Sequence, residues 1–511
     1  MERQFSLNGL IGQAVPLDRI VSLVQLINRA LVANGYINSG VLIDGPPPEP
    51  GGILKLQLVF GQVVDAEGQP GADISFGGRG RNRLTERFVE QRLPAIARVP
   101  LNAIALEREF RLLAANPAID TVSADLQPGE RPGEARLSLL IDPAPLFDFY
   151  TSFANSRAPS IGGERIGFGG FLRNLLRPGD VISAETGFTS GRQDLIAGYE
   201  APLIGPRSLF HVRGGFNNAA VVDPELLDLD ITAQDWQIEG GLGVRVVDRP
   251  LTPQGTGRGW RTARELILGA SVFHRQSDTT LLGRPFSFTP GAVNGRAEYT
   301  ALRLTGDFAD RGVNRVFAVA LTLTQGLDGT LSDIPGLISP DRDFRAARLQ
   351  VSYARRLSEN GLELRSRLVG QYADGILYSG ERFAAGGAQS VRGYRETLVL
   401  ADTGLNGSVE LVRAFSLSGR GEGRLAFDPG RFSASVFADG AILGNREGPA
   451  PAAGELASVG ATLAWAPAPW LEAMAAYGEA LIDAPITGSR DLQDRGVSFR
   501  ITVRPLALLR R

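Results

Sequence analysis

Trp236-Gln237-Ile238-Glu239-Gly240-Gly241-Leu242-Gly243-Val244-Arg245-Val246 reads in twos. The even positions hold Trp236, Ile238, Leu242, Val244 and Val246, while the odd ones are polar or small. A period of two is that of a β-strand with one apolar face. The pattern recurs from Leu362, where Leu364, Leu368 and Tyr372 face one way and Glu363, Arg365, Arg367 and Gln371 the other. It recurs again where Val497, Phe499, Ile501 and Val503 alternate with Ser498, Arg500, Thr502 and Arg504. From residue 144 onward about 16 such stretches follow one another, many roughly 10 to 14 residues long, separated by Gly, Asn, Asp and Pro.

Two architectures bury one face of so many antiparallel strands. In a soluble sandwich or propeller the apolar face points inward. In a transmembrane barrel it meets lipid and the lumen takes the charges. The strands match the roughly 9 to 11 tilted residues that cross a bilayer, against about 5 to 6 in soluble sheets. Their polar faces mix Arg with Glu, and links such as residues 217–235 and 326–344 are long, as outer-surface loops tend to be. The pattern therefore predicts a closed barrel, since every backbone donor in lipid needs an internal partner.

Ahead of residue 144 helix and strand patterns mix. Ile20, Leu23, Val24, Ile27 and Leu31 have the spacing of a one-faced helix, with Gly35 placed to end it. An extended piece at 41–43 and an alternating strand at 53–59 follow, flanking the proline-rich residues 46–52. A second unit runs from an extended Asp73–Phe76 through helices at 85–93 and 101–115 to strands at 121–126 and 135–141. Residues 3–10 suit a further strand at the start. Both units read as small α+β domains with an order close to β-α-α-β-β.

Composition excludes several functions. Fifty-five acidic residues nearly cancel 53 basic ones, so no bulk field grips nucleic acid. Cysteine is absent, and the two histidines, His211 and His274, lie far apart. No disulfide, thiolate nucleophile or Cys-rich metal site is available. No Gly-x-Ser-x-Gly elbow leads a nearby His, and no phosphate loop is present. The expectation is no enzyme, no cofactor and no metal. Asp307, Asp310 and Asp341, in or beside loops, read as solvated surface rather than a cation site. Trp465 and Trp470, around a tight turn, read as an interfacial aromatic belt. No stretch approaches the roughly 20 apolar residues of a membrane helix.

Between two strong strands stands Glu381-Arg382-Phe383-Ala384-Ala385-Gly386-Gly387-Ala388-Gln389-Ser390-Val391-Arg392-Gly393-Tyr394. This resembles the Gly-Gly-preceded (Val/Ile)-Arg-Gly-(Phe/Tyr) loop of the Omp85 superfamily. Its continuation through Asp402-Thr403-Gly404 to Val409-Glu410-Leu411 resembles the two-partner secretion branch (TpsB type, the hemolysin secretion/activation proteins). Asn34-Gly35-Tyr36, Asn116-Pro117 and the turn through Pro128-Gly129 and Pro132-Gly133 resemble parts of its POTRA modules. The resemblance implies α+β POTRA modules at residues 1–64 (shortened) and 65–143. An all-β outer-membrane barrel of about sixteen strands would then span 144–511, with residues 376–402 folded into it.

The same resemblance pairs the loop arginine with an aspartate in a Phe-x-Asp-Gly-like strand. Here that sequence is Phe437-Ala438-Asp439-Gly440, and alternation puts Asp439 with Ser433 and Ser435 on the lumen side, away from Val436 and Ile442. The implied site is Gly386, Gly387, Val391, Arg392, Gly393 and Tyr394, with Asp439, Phe437 and Gly440 opposite. The implied function is export of a dedicated TpsA-like exoprotein from periplasm to cell surface. Its partners would be that cargo, outer-membrane lipids and the barrel assembly machinery. Cargo strands would add to the module edges at 53–59, Asp73–Phe76 or 135–141, although each is equally an ordinary sheet element. Arg345, Arg348, Arg356, Arg365 and Arg367 would face the lumen, to hydrate the path or to hold the wall by salt bridges. The alternative is an Omp85-type assembly or insertion factor, which two modules rather than a longer series argue against. A passive porin or receptor would leave the modules and the Arg392 loop unexplained.

Two features depart from the family pattern. Met1-Glu2-Arg3-Gln4 is no signal peptide, and little room precedes the first module for a plug helix and linker, which are expected upstream of this numbering or absent. The last aromatic is Phe499, whereas many such barrels end on one.

Overall fold

The structure, a computed structural model, describes residues 15–45, 49, 52–77, 84–203, 205, 207–249, 251–253, 260–289, 291–332, 339–416, 430–486 and 488–508. The strand expected at residues 3–10 lies outside them. The chain divides into two units, residues 1–146 with 173–179, and residues 147–172 with 180–511.

In the first unit α1 (Leu17–Ala33) buries Leu23 and Val24. Gly35, at φ +91°, turns the chain away from it. The antiparallel pair β1 (Gly40–Asp44) and β2 (Lys55–Val59) follows. Asn28 ties the helix to the strand: its amide accepts from Val41 N at 2.7 Å and donates to Val41 O at 3.0 Å. Next come β3 (Gln62–Val64), β4 (Asp73–Phe76), α2 (Glu86–Glu90), α3 (Ala103–Ala114), β5 (Ile119–Pro128) and β6 (Glu134–Pro143). Side chains cap both helices, Thr85 accepting from Phe88 N and Asn102 from Ala105 N. The helix expected over 85–93 stops at Glu90, because Pro94 disfavours helical backbone at Leu93 and lacks an N–H. Leu101, Leu113, Leu137, Leu139 and Ile141 form a fully buried core.

The sheet corrects one expectation. β6 is central, parallel to β3 and β4 on one side and antiparallel to β5 on the other. Residues 135–141 therefore have no free edge to offer a cargo strand. β4 and β5 each pair with β6 alone among the described residues, as does β2 with β1. The sheet also begins at Gln62, ahead of the expected 64/65 boundary.

The second unit is a closed barrel of sixteen antiparallel strands: β7 (Phe147–Ala154), β8 (Arg165–Arg173), β9 (Val181–Phe188), β10 (Arg192–Pro202), β11 (Ser208–Ala220), β12 (Thr232–Arg249), β13 (Ala263–Leu281), β14 (Arg296–Arg311), β15 (Arg315–Gly329), β16 (Arg345–Arg356), β17 (Leu362–Ala373), β18 (Thr403–Ser416), β19 (Arg431–Gly444), β20 (Glu455–Ala468), β21 (Leu471–Ala480) and β22 (Val497–Val503). Each strand shows its apolar parity outward: Ile238, Leu242, Val244 and Val246 are exposed, as are Leu368, Tyr372, Val436 and Ile442. No described helix is long and apolar enough to cross a membrane. The seam between β22 and β7 has four register pairs, from Arg500↔Ala154 to Val503↔Thr151. Above them Asn155 stands in for a strand residue: its amide donates to Val497 O at 2.9 Å and accepts from Phe499 N at 2.7 Å.

Strands run further into the outer loops than the alternation suggested. Asn217 and Asp235, read as the ends of a long link, are a cross-strand pair joined at 2.7 Å. Asp307 lies within β14, opposite the lumenal Ala320, while Asp310, one residue from the end of that strand and beside its short turn, accepts from Thr262 and Arg264. Arg345 points out with Leu349, not into the lumen, and donates to Gln325 at 3.0 Å. Two residues separate it from the lumenal Arg348, and at that odd spacing a strand cannot put both on one face. Trp465 stacks on Phe432, which stacks on Phe415, as an outward aromatic row.

Candidate functional site: an inward loop clamped to the barrel wall

Residues 374–402 join β17 to β18 and turn into the lumen. A short hairpin, Phe383–Ala385 against Val399–Ala401, stiffens the stem, and the tip carries Gly386 to Tyr394. Gly386, Gly387 and Gly393 have φ of +105°, +92° and +93°. At Gly393 a Cβ would lie 2.8 Å from Gly478 O on the wall, so glycine is required by both conformation and space.

Arg392 reaches Asp439. Its Nε donates to Asp439 Oδ2 at 2.8 Å and its Nη2 to Oδ1 at 2.9 Å, while its backbone N–H donates to Oδ2 at 3.1 Å. The remaining guanidinium donors meet Ser408 at 3.1 Å and Glu410 and Thr462 at 3.3 Å. All five side-chain N–H groups thus have acceptors, a fork no lysine reproduces. Phe437, two residues along the same face as Asp439, lies flat under the guanidinium at 3.4 Å. The Asp439 side chain is fully buried. Gly440, on the opposite parity, pairs with Gly407 and Ala457 and stays out of the clamp. Val391 is fully buried beside Ala385 and Leu456. The Tyr394 hydroxyl sits 2.8 Å from the carbonyls of both Ala457 and Ile482.

Two further anchors were not visible in the sequence. At the stem, Arg303 of β14 donates to Glu381 at 2.5 Å and Tyr299 donates to it at 3.0 Å. The buried Asp402 accepts from the amides of Leu377 and Arg446. Tyr299 and Tyr378 stack at 4.7 Å with Phe344 edge-on. Past the tip, Arg395 grips Asp494 in the loop between β21 and β22 at 2.5 and 2.7 Å, and Glu396 N donates to Gln493 at 2.8 Å. Burial works to raise the Asp494 carboxyl, but hydrogen bonds from Arg395 and the Asp491 amide hold it below the ordinary carboxylate range. That loop is tied in turn to residues 221–231, Ser489 N donating to Asp223 at 3.0 Å.

Among the described residues no group of three or more His, Asp or Glu side chains is placed to hold a metal ion. The arrangement is chemically a bolt: a loop held across a wet channel by buried charge.

Residues 295–445, which contain the loop and Asp439, match the haemolysin secretion/activation protein ShlB/FhaC/HecB family. The chain is 24% identical over 410 residues to the outer membrane transporter CdiB of Dickeya dadantii (strain 3937), covering 78% of this chain and 66% of that relative, just under two thirds. In fold it is similar to CdiB from Escherichia coli, with TM-score 0.73 at 17% identity over 98% of this chain and 87% of that one. CdiB from Acinetobacter baumannii gives 0.67 at 16% identity, over 97% and 84% of the two chains. BamA from Haemophilus ducreyi lacking POTRA domains 1–3 gives 0.52 at 13%, over 96% and 94%.

Proposed function

We propose that the chain is a two-partner secretion transporter, of the TpsB branch of the Omp85 superfamily, and that it carries one dedicated exoprotein across the outer membrane to the cell surface. The observation that supports this most is the loop of residues 374–402, held inside a closed barrel by a fully satisfied Arg392–Asp439 clamp. A permanently open pore has no use for such a bolt.

On this reading residues up to 143 are two POTRA modules in the periplasm, with the second sheet starting at Gln62. Unfolded cargo adds a strand to an open edge, β2, β4 or β5, where main-chain hydrogen bonds give affinity with little sequence demand. The loop then withdraws, the cargo enters the lumen, and folding outside the cell makes passage one-way. No residue performs covalent chemistry. Barrel insertion would fall to the assembly machinery, and the outward apolar face meets outer-membrane lipid.

Deleting the gene and comparing secreted with outer-membrane proteins tests the reading. Loss of one large exoprotein is expected. A general loss of outer-membrane barrels would instead indicate an assembly factor, and altered small-solute uptake a porin. Charge reversal at Arg392, at Asp439 and at both is expected to give non-additive secretion defects. Additive losses would refute a direct clamp.

A further inference from the structure

The lumen wall is not uniform in charge. On β8 to β14 its arginines are committed to carboxylates: Arg165 to Asp194 and Glu185, Arg213 to Glu200, Arg245 to Glu265, Arg275 to Asp235, and Arg303 to Glu239 and Glu381. On β16 and β17 the inward parity carries Arg348, Arg356, Arg365 and Arg367. One carboxylate, Glu363, faces inward with them, and it binds Arg365 at 2.7 Å. Among the described residues Arg348, Arg356 and Arg367 have no carboxylate within 4.0 Å, and their side chains open to the lumen. The neighbouring β15 turns only Val316, Ala318, Ala320, Thr322 and Thr324 inward. On the other flank Glu410 and Asp439 are taken by Arg392.

Register sets the spacing. Arg367 lies opposite Ser352 and Arg365 opposite Ala354, so the four cations run from level 348 to level 356 of one ladder. At about 3.3 Å per residue that is roughly 26 Å of strand, which at the usual tilt spans about two thirds of a bilayer core. Two of them meet the inward loop, while Arg365 stays on Glu363. Arg367 donates to Gln389 O at 3.1 Å, and Arg348 stands 5.9 Å from the Phe383 ring. A chamber of about 350 Å³ opens between Arg365, Arg367, Arg392 and the loop tip. When the loop leaves, Arg348 and Arg367 lose these contacts and can meet a passing chain.

We propose that the lumenal face of β16–β17 is a cationic track that binds the carboxylates of an extended polypeptide in transit. It rests on the secretion reading for the identity of that polypeptide. Cations spaced along a wet, low-dielectric wall concentrate anionic groups, and successive weak contacts let a chain move without being trapped. A wall of paired charges attracts neither sign.

The test uses the full-length protein in planar bilayers, probed with a 20-residue Glu/Ser peptide and its Gln/Ser counterpart. The wild-type pore is expected to favour chloride over potassium. The acidic peptide should block it at a concentration about ten-fold lower than the neutral one. In R348Q/R356Q/R367Q both preferences should fall to about one. In R348K/R356K/R367K, which keeps the charge, and in the net-neutral control R245Q/E265Q they should persist. Equal block by both peptides in the wild type would overturn the track, as would the same loss in R245Q/E265Q. Should the glutamine variant not fold, R367Q alone carries the comparison, with a partial loss expected and no change refuting it. Conductance needs no cargo, so an unchanged secretome on gene deletion would sink the secretion reading and leave this result standing.

Discussion

The two units of this chain solve opposite problems with the same residues. In the first, Leu101, Leu113, Leu137 and Ile141 are hidden and most charge lies outside, the buried Glu109 and Glu134 being held by Ala95 N and Arg131. In the barrel, Val436 and Ile442 are 59% and 56% exposed while Asp439 and Asp194 are buried. Hydrophobic burial drives the first unit. In the second, lipid replaces the core, and what must be satisfied internally is polarity. A period-two pattern reports only that a strand has two faces. Which face is inside depends on the solvent.

The comparison predicts unequal costs for single changes. The largest effect is expected at Arg392→Ala, which strands a buried carboxylate. Removing one partner of such a pair costs roughly 3–5 kcal/mol, and Asp439→Asn in the same background should recover part of it. Chemical unfolding of the barrel in lipid vesicles measures both. Next, Val436→Arg and Leu140→Arg change residues of comparable exposure, 59% and 47%. The barrel should lose about 2–4 kcal/mol for an arginine in hydrocarbon, while the open sheet face of the first unit loses less than about 0.5. Equal costs would abolish the distinction between the units.

Asn28→Ala should cost the first unit about 1–3 kcal/mol, since Val41 loses both partners on that side. Thermal unfolding should show it with the barrel unaffected. Smallest is the effect of pH on the Arg395–Asp494 tie. The folded Asp494 pKa lies below its ordinary 3.8, so the tie's contribution is complete above that value and fades only as pH falls through the lower folded one. Lowering pH from 7.5 to 5 should therefore leave protease protection of residues 481–496 unchanged, whereas Asp494→Asn should reduce it at both.

Much of this was legible in the chain. Parity alone put Asp439 in the lumen, because a carboxylate cannot face acyl chains. The quoted helix face, Leu23 and Val24 included, and the strands of the second module stand near where their spacing put them. The misreadings share a cause. At Arg345 and Asn217 the strands run on past the membrane, where no lipid enforces an apolar face and the alternation loses its meaning. The central position of β6 was hidden for another reason: a strand's apolar pattern records its faces, not the number of its hydrogen-bonded neighbours. Contacts such as Arg303–Glu381 join residues 78 apart, and nothing local to either position announces the other.

Asn155 carries a last consequence. A ring of strands is as strong as its least-laced joint, and here one rung of that joint is a carboxamide on a rotatable stem. The four register pairs beside it require two backbones to part together. This one lets go when a single side chain swings about χ1, so the hoop has a latch that a thermal fluctuation can lift, and Asn155→Ala would leave the barrel unzipping from that point first.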